Sequence, residues 1–173
     1  MMSAVIPAAT GPLEDPTPQE HFIEFTVPLA PKGKSRPRHG KGFTYSDKDQ
    51  VRWEQQFALY ASQFKPQQLL EGSIGMAVLF VMPRPKRLYR KKDSPNCLPH
   101  TGRPDLDNLV KSVMDAMSTW WHDDAQVSSI LAKKCYAEKH QSPRIHTTLL
   151  YHSTPKPPAH TSSTIPTPSS TKP

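Results

Sequence analysis

The chain has 173 residues, enough for about one domain of ordinary size and too few for a second catalytic module. Hydrophobic residues make up 35% and charged residues 21%, so part of the chain can bury a core, yet 20 prolines against 7 glycines point to segments that do not fold compactly. A net charge of +7 favours a polyanionic partner, with nucleic acid the leading candidate, and the apolar run through Ala77 to Met82 is far below the roughly 18 residues of a membrane span.

Met1 to Gly11 carries no basic stretch and is broken by Pro7, so it does not read as a secretory signal. A cytoplasmic setting follows, and there Cys97 and Cys135 are expected as free thiols. Prolines crowd both ends of the chain. The stretch from Ser153 onward is Ser, Thr, Pro and Lys with little to bury, so residues 1–20 and 153–173 are expected as disordered tails around a folded domain at 21–152.

Inside that domain, Ile23, Phe25 and Val27 alternate with polar residues, which predicts a half-buried strand over His21 to Val27. A basic loop comes next. Ser46 with Asp49 three residues on has the form of a capping box, and Trp53, Phe57, Tyr60 and Phe64 then recur at helical spacing until Pro66. Ser73 to Met82 reads as a buried strand stopped by Pro83 and Pro85, and Lys86 to Asn96 as a second basic loop. A second helix is predicted from Asn108, its apolar stripe made by Val110, Val113, Met114, Met117 and Trp121. Ser128 to Glu138 and Arg144 to Tyr151 complete the set as strands. The order β-α-β-α-β-β predicts an α/β or α+β fold, a single mixed sheet with its helices packed on one face.

The stretch Gly102 to Val127, GRPDLDNLVKSVMDAMSTWWHDDAQV, holds five of the fifteen acidic residues: Asp105, Asp107, Asp115, Asp123 and Asp124. In regular helix Asp105 and Asp107 would stand about 200° apart, whereas in extended chain they point the same way. Pro104 favours an extended Arg103 and Asn108 is a good N-cap, which puts Asp105 just before a helix and Asp107 at its mouth. Oxygen ligands so placed suit Mg²⁺. After the helix, Trp120-Trp121 leads to Asp123-Asp124, and the returning chain can close a third carboxylate onto the same ion. Asp107, Lys111 and Asp115 are spaced by four and share a helical face, where a lysine can hold a phosphate or stabilise a leaving oxygen. Taken singly, each feature is an ordinary cap, surface pair or turn. Together they describe metal-assisted phosphodiester hydrolysis.

PDLDNLVKSVMDAM followed by DDAQV resembles the signature of the RusA-type Holliday junction resolvases, a phage and prophage endodeoxyribonuclease family, and PKGKSRPRHGKGFTY at Pro31 to Tyr45 resembles the basic N-terminal loop of its phage members. The resemblance runs from His21 to about Tyr151. It implies a homodimeric, RusA-like mixed α/β nuclease of DNA recombination and repair that binds four-way junctions in the cytoplasm of a bacterium or phage-infected cell. Such an enzyme makes symmetric paired cuts with Mg²⁺, for which Mn²⁺ can substitute. Carried over by position, Asp105, Asp107 and Asp124 are the metal-binding acids and Lys111 the catalytic lysine, with Asp123 open as an alternative third ligand.

Lys32, Lys34, Arg36, Arg38 and Lys41 form one basic segment, and Arg84, Lys86, Arg87, Arg90, Lys91 and Lys92, with Tyr89 among them, form another. Both are candidate phosphate-binding surfaces, since clustered cations gain by releasing DNA counterions. Neither carries a base-reading motif, which suits recognition of shape and backbone. Cys97-x-x-His100 and Cys135-x₄-His140 fit no standard zinc site, the PD-(D/E)xK pattern is not met, and there is no P-loop, so no nucleotide cofactor is expected. Two other readings stay open: a non-catalytic branched-DNA-binding accessory protein, and a nuclease acting on flaps or forks.

Overall fold

The computed structural model describes residues 19–34, 38–39, 44–45 and 47–153. Residues 1–18 and 154–173, most of the two expected tails, lie outside them, while Gln19, Glu20 and Ser153 belong to strands. Five strands make one mixed sheet: β1 (Gln19–Val27), β4 (Ile74–Met82), β5 (Leu98–Pro99), β6 (Val127–Tyr136) and β7 (Arg144–Ser153), in the spatial order β1-β7-β4-β6-β5. A separate two-stranded hairpin pairs β2 (Arg38–His39) with β3 (Thr44–Tyr45). The helices are α1 (Lys48–Ala61) and α2 (Leu106–Ala116). No helix among the described residues is long and apolar enough to cross a membrane.

The centre of the sheet falls where the sequence has nothing charged. β4, IGMAVLFVM, is flanked on both sides, running parallel to β6 and antiparallel to β7, and most of its residues are buried. A parallel pair requires a crossover, and the chain between β4 and β6 supplies it through α2. β1 alternates as expected, with Phe25 and Val27 buried and Phe22 72% exposed. The sequence order β-α-β-α-β-β is therefore the backbone of the observed α+β fold, with β2, β3 and β5 as short additions.

Both helices join one core with the inward residues of β1, β4 and β7: Trp53, Phe57 and Ala61 from α1, and Leu109, Val113 and Ala116 from α2. The start of α1 differs from the capping-box expectation. Asp47 is the cap, its carboxylate accepting from Asp49 N at 2.9 Å, while Ser46 lies outside the described residues. The α1 stripe is shifted too. The helix gives way to a 3-10 turn at Ser62–Phe64, so Tyr60 and Phe64 stay 43% and 40% exposed and Gln50 and Ala61 take the inward places.

The cysteines also depart from expectation. Cys97 and Cys135 are joined as a disulfide with their Cα atoms 5.9 Å apart, because β5 lies antiparallel on the end of β6 and carries Cys97 alongside it. A separation of 38 residues hid this pairing from the sequence.

Candidate active site

The helix that carries the acidic motif begins earlier than Asn108. Asp105 is the N-cap, with extended backbone at φ −70° and ψ 152°, and Asn108 lies inside the helix, where its carbonyl accepts from Ser112 Oγ. The Asp105 side chain makes no capping hydrogen bond, so its exposed carboxylate is left open at the helix mouth. Asp107 is in the first turn, where a negative charge also favours the helix dipole.

Two elements hold that mouth in place. From the sheet, Lys134 of β6 donates to Gly102 O at 2.8 Å and to Pro104 O at 2.7 Å, across the turn that contains the cis Arg103–Pro104 peptide. From the opposite direction, the strap after β1 docks on α2: Lys34 N donates to Asn108 O at 3.0 Å, and Gly33 lies so close that a Cβ there would stand 2.7 Å from Pro104 Cβ. The Lys34 ammonium bridges Asp115 and, at 2.9 Å, Glu54 of α1. Burial works against its charge, but Asp115 and Glu54 outweigh that and hold its pKa above the ordinary lysine value. Gln50 extends the network between the helices, donating to Glu54 and to Ser112.

With Leu109, Ser112, Val113 and Ala116 facing the core, the other side of α2 is turned outward. Asp107, Val110, Lys111, Met114 and Asp115 line a cleft of about 550 Å³ with Ile130 and Ala132 of β6 and with Asp124. Val110 and Met114, expected in the apolar stripe, pack partly buried against the core and also wall the cleft. The adjacent aspartates after the helix have different surroundings. Asp123 caps the 3-10 turn Asp124–Gln126, accepting from Ala125 N at 2.8 Å, and Gln126 completes the box by accepting from Asp123 N at 3.1 Å. Asp124 accepts the indole N–H of buried Trp121 at 2.7 Å and opens onto the cleft. Trp121 and Gln126 were not singled out from sequence as parts of the site. The Trp-x-x-Asp spacing and the Asp-x-x-Gln box were the available signals.

The basic segments separate into cations that build the protein and cations that face outward. Arg84 is a correction: it is 8% exposed, and its guanidinium donates to the carbonyls of Leu88, Ser94, Asn96 and Ala137, so it is not a surface phosphate ligand. The connection from β4 to β5 has few ladder partners for its carbonyls, and buried carbonyls must find donors. Lys139 does the same for Arg90 O and Asp93 O, both at 2.8 Å. The loop so held leaves Lys86, Arg87, Lys91 and Lys92 exposed, while Arg90 is tied to Asp93 at 3.1 Å. In the other segment Lys34 is taken up by its two carboxylates and Lys32 is half-buried. Arg36 and Lys41 lie outside the described residues, and Arg38 is described only as backbone of β2.

With this geometry in hand, comparison with known proteins finds that the family model described as Endodeoxyribonuclease RusA matches residues 28–149. The chain belongs to the RusA endodeoxyribonuclease family. It is also 33% identical over 127 residues to the uncharacterized protein YqaN of Bacillus subtilis (strain 168), a match covering 68% of this chain and 89% of that one. The RusA match runs from the strap through α2 and the 3-10 turn into β7, so every element that builds the cleft lies within it.

For a RusA-family nuclease the chemical question is whether these acids suit a divalent cation. All three candidates, Asp105, Asp107 and Asp124, are exposed carboxylates, hard oxygen donors of the kind Mg²⁺ takes, and Asp105 is uncommitted to capping. They fit such an ion in donor chemistry and access. Among the described residues no three His, Cys, Asp or Glu side chains are already gathered into a metal-holding group.

Proposed function

We propose that this chain is a Mg²⁺-dependent endodeoxyribonuclease that resolves four-way DNA junctions by paired symmetric cuts, acting as a homodimer in the cytoplasm of a bacterium or phage-infected cell. The observation that carries the reading is the cleft itself, where Asp107, Lys111 and Asp124 from two separate elements share one wall system with Asp105 open at the helix mouth, in a chain of the RusA family.

Asp105, Asp107 and Asp124 would hold the ion. What a divalent cation supplies at such a site is activation of water and neutralisation of charge on the phosphate. The rest falls to the chain. Lys111 presents its ammonium from the middle of α2 to a phosphate in the cleft, where it offsets the negative charge developing on the leaving oxygen. The Trp121 indole holds one oxygen of Asp124, a residue of the cleft lining, so that the other oxygen would serve the ion. Lys86, Arg87, Lys91 and Lys92 track the backbone of the DNA arms and contribute affinity without base recognition. Two cuts on opposed strands need two such sites, which a two-fold dimer provides.

The test uses labelled four-way junction, flap, duplex and single-stranded DNA, each with Mg²⁺ and with chelator. The junction should be cut only with metal, and Asp105→Asn, Asp107→Asn and Asp124→Asn should each abolish cutting while junction binding is kept or tightened. Lys111→Ala should lose cleavage with little loss of affinity. Equal cutting of plain duplex would overturn the junction reading, and a fully active Asp107→Asn would overturn the site.

A further inference from the structure

Among the described residues the Asp105 side chain has no hydrogen-bond partner to fix it. The turn before it carries its backbone, and on the sheet side that turn is held by one residue: Lys134 Nζ donates to Gly102 O at 2.8 Å and Pro104 O at 2.7 Å, while Lys134 O accepts from His100 N at 3.4 Å. Lys134 therefore grips the approach to α2 through both its backbone and its ammonium. Charge-assisted bonds of this kind are the strong class. The lysine is half-buried, and among the described residues no acidic side chain pairs with its ammonium.

We propose that Lys134 is a positioning residue that sets the height and direction of the Asp105 carboxylate for a divalent cation, without itself touching ion or DNA. The inference rests on reading Asp105 as a ligand of that ion. The physical ground is that Pro104 O and the Asp105 backbone belong to one peptide unit, so fixing the oxygen fixes the plane from which the Asp105 side chain departs. Removing the ammonium leaves two carbonyls to find water and frees the turn to tilt. Outer-shell partners that orient metal ligands typically change metal affinity by about 10–100-fold when removed. An alternative purely structural role would lower stability and leave the metal affinity of the folded protein unchanged.

The experiment measures Mn²⁺ binding to the full chain by electron paramagnetic resonance, in the absence of DNA, beside junction affinity in chelator. For Lys134→Met, which keeps the apolar stem and loses the donors, we expect Mn²⁺ affinity roughly tenfold weaker and junction affinity unchanged. If that variant does not fold, Lys134→Gln, which retains a single amide donor, decides the matter with a smaller loss in the same direction. Asp105→Asn is the control that separates the two readings. Weak binding in Asp105→Asn with wild-type binding in the Lys134 variant would overturn the role of Lys134 and leave the ligand standing. Wild-type binding in Asp105→Asn, or no Mn²⁺ bound by the unaltered chain, would overturn the ligand and this inference with it.

Discussion

Replacing Arg84 should damage the protein in a way that replacing its exposed neighbours does not. Its guanidinium satisfies four backbone carbonyls at 8% exposure, so Arg84→Met leaves several of them without donors, at an expected cost of about 3 kcal/mol or more in urea unfolding. Arg87→Ala, by contrast, should change stability by less than about 0.5 kcal/mol and weaken junction binding with a shallower salt dependence. His100 supplies a pH dependence. It is buried against Tyr136 with Nδ1 unpartnered, and burial first, then the nearby Lys134 charge, hold its pKa below the ordinary histidine value. The unfolded chain therefore binds the proton more readily than the folded one, and stability is present above the ordinary histidine range and lost as pH falls through it toward the depressed folded value. Melting temperature should fall on acidification across that window, and less steeply in His100→Phe; identical slopes would remove His100 from the account.

At the scale of elements, α2 and the strap behave as one unit. The strap reaches α2 through Lys34 N to Asn108 O and the close approach of Gly33 to Pro104, and the Lys34 ammonium binds both helices. Gly33→Ala places a methyl group 2.7 Å from the Pro104 ring, which cannot swing aside as a flexible side chain would. Either the strap lifts or the turn before Asp105 shifts. We expect a loss of about 1–3 kcal/mol in stability, typical of overpacking, and a fall in cleavage larger than the fall in junction affinity. Unchanged cleavage with unchanged melting would show that strap and helix move independently. The same coupling explains why the α2 stripe was only half legible. Helical spacing correctly gave an amphipathic α2, but it could not say that Val110 and Met114, partly buried against the core, also wall a cleft while Leu109 and Ser112 are fully buried, because that depends on where β6 and α1 lie.

For the whole molecule, the expected two-fold assembly has a direct test. A mixed dimer of an unaltered chain with an Asp124→Asn chain should nick one strand of a junction and rarely resolve it, and a monomer by light scattering that makes both cuts would overturn the model. What the sequence determined by itself is the part carried by local pattern: the alternation in β1, the uncharged run of β4, the helical period of α2 and the order of the main elements, together with the acidic motif that marks the RusA family. These follow from periodicity and spacing, which are properties of neighbours in the chain. The tertiary structure decided what depends on residues far apart in it. α2 begins after Asp105 rather than at Asn108, and Pro104 O just before it is held by Lys134, thirty residues on. Arg84 turned from a phosphate candidate into an internal strut because carbonyls up to Ala137 surround it. Cys97 met Cys135 across β5 and β6, and Asp124 rather than its neighbour reached the cleft because Trp121 is anchored in the core. Lys134, Arg84 and Asp124 each went where the fold had left unmatched hydrogen-bonding partners, and that demand, like the meeting of the two cysteines, exists only once the chain has closed on itself.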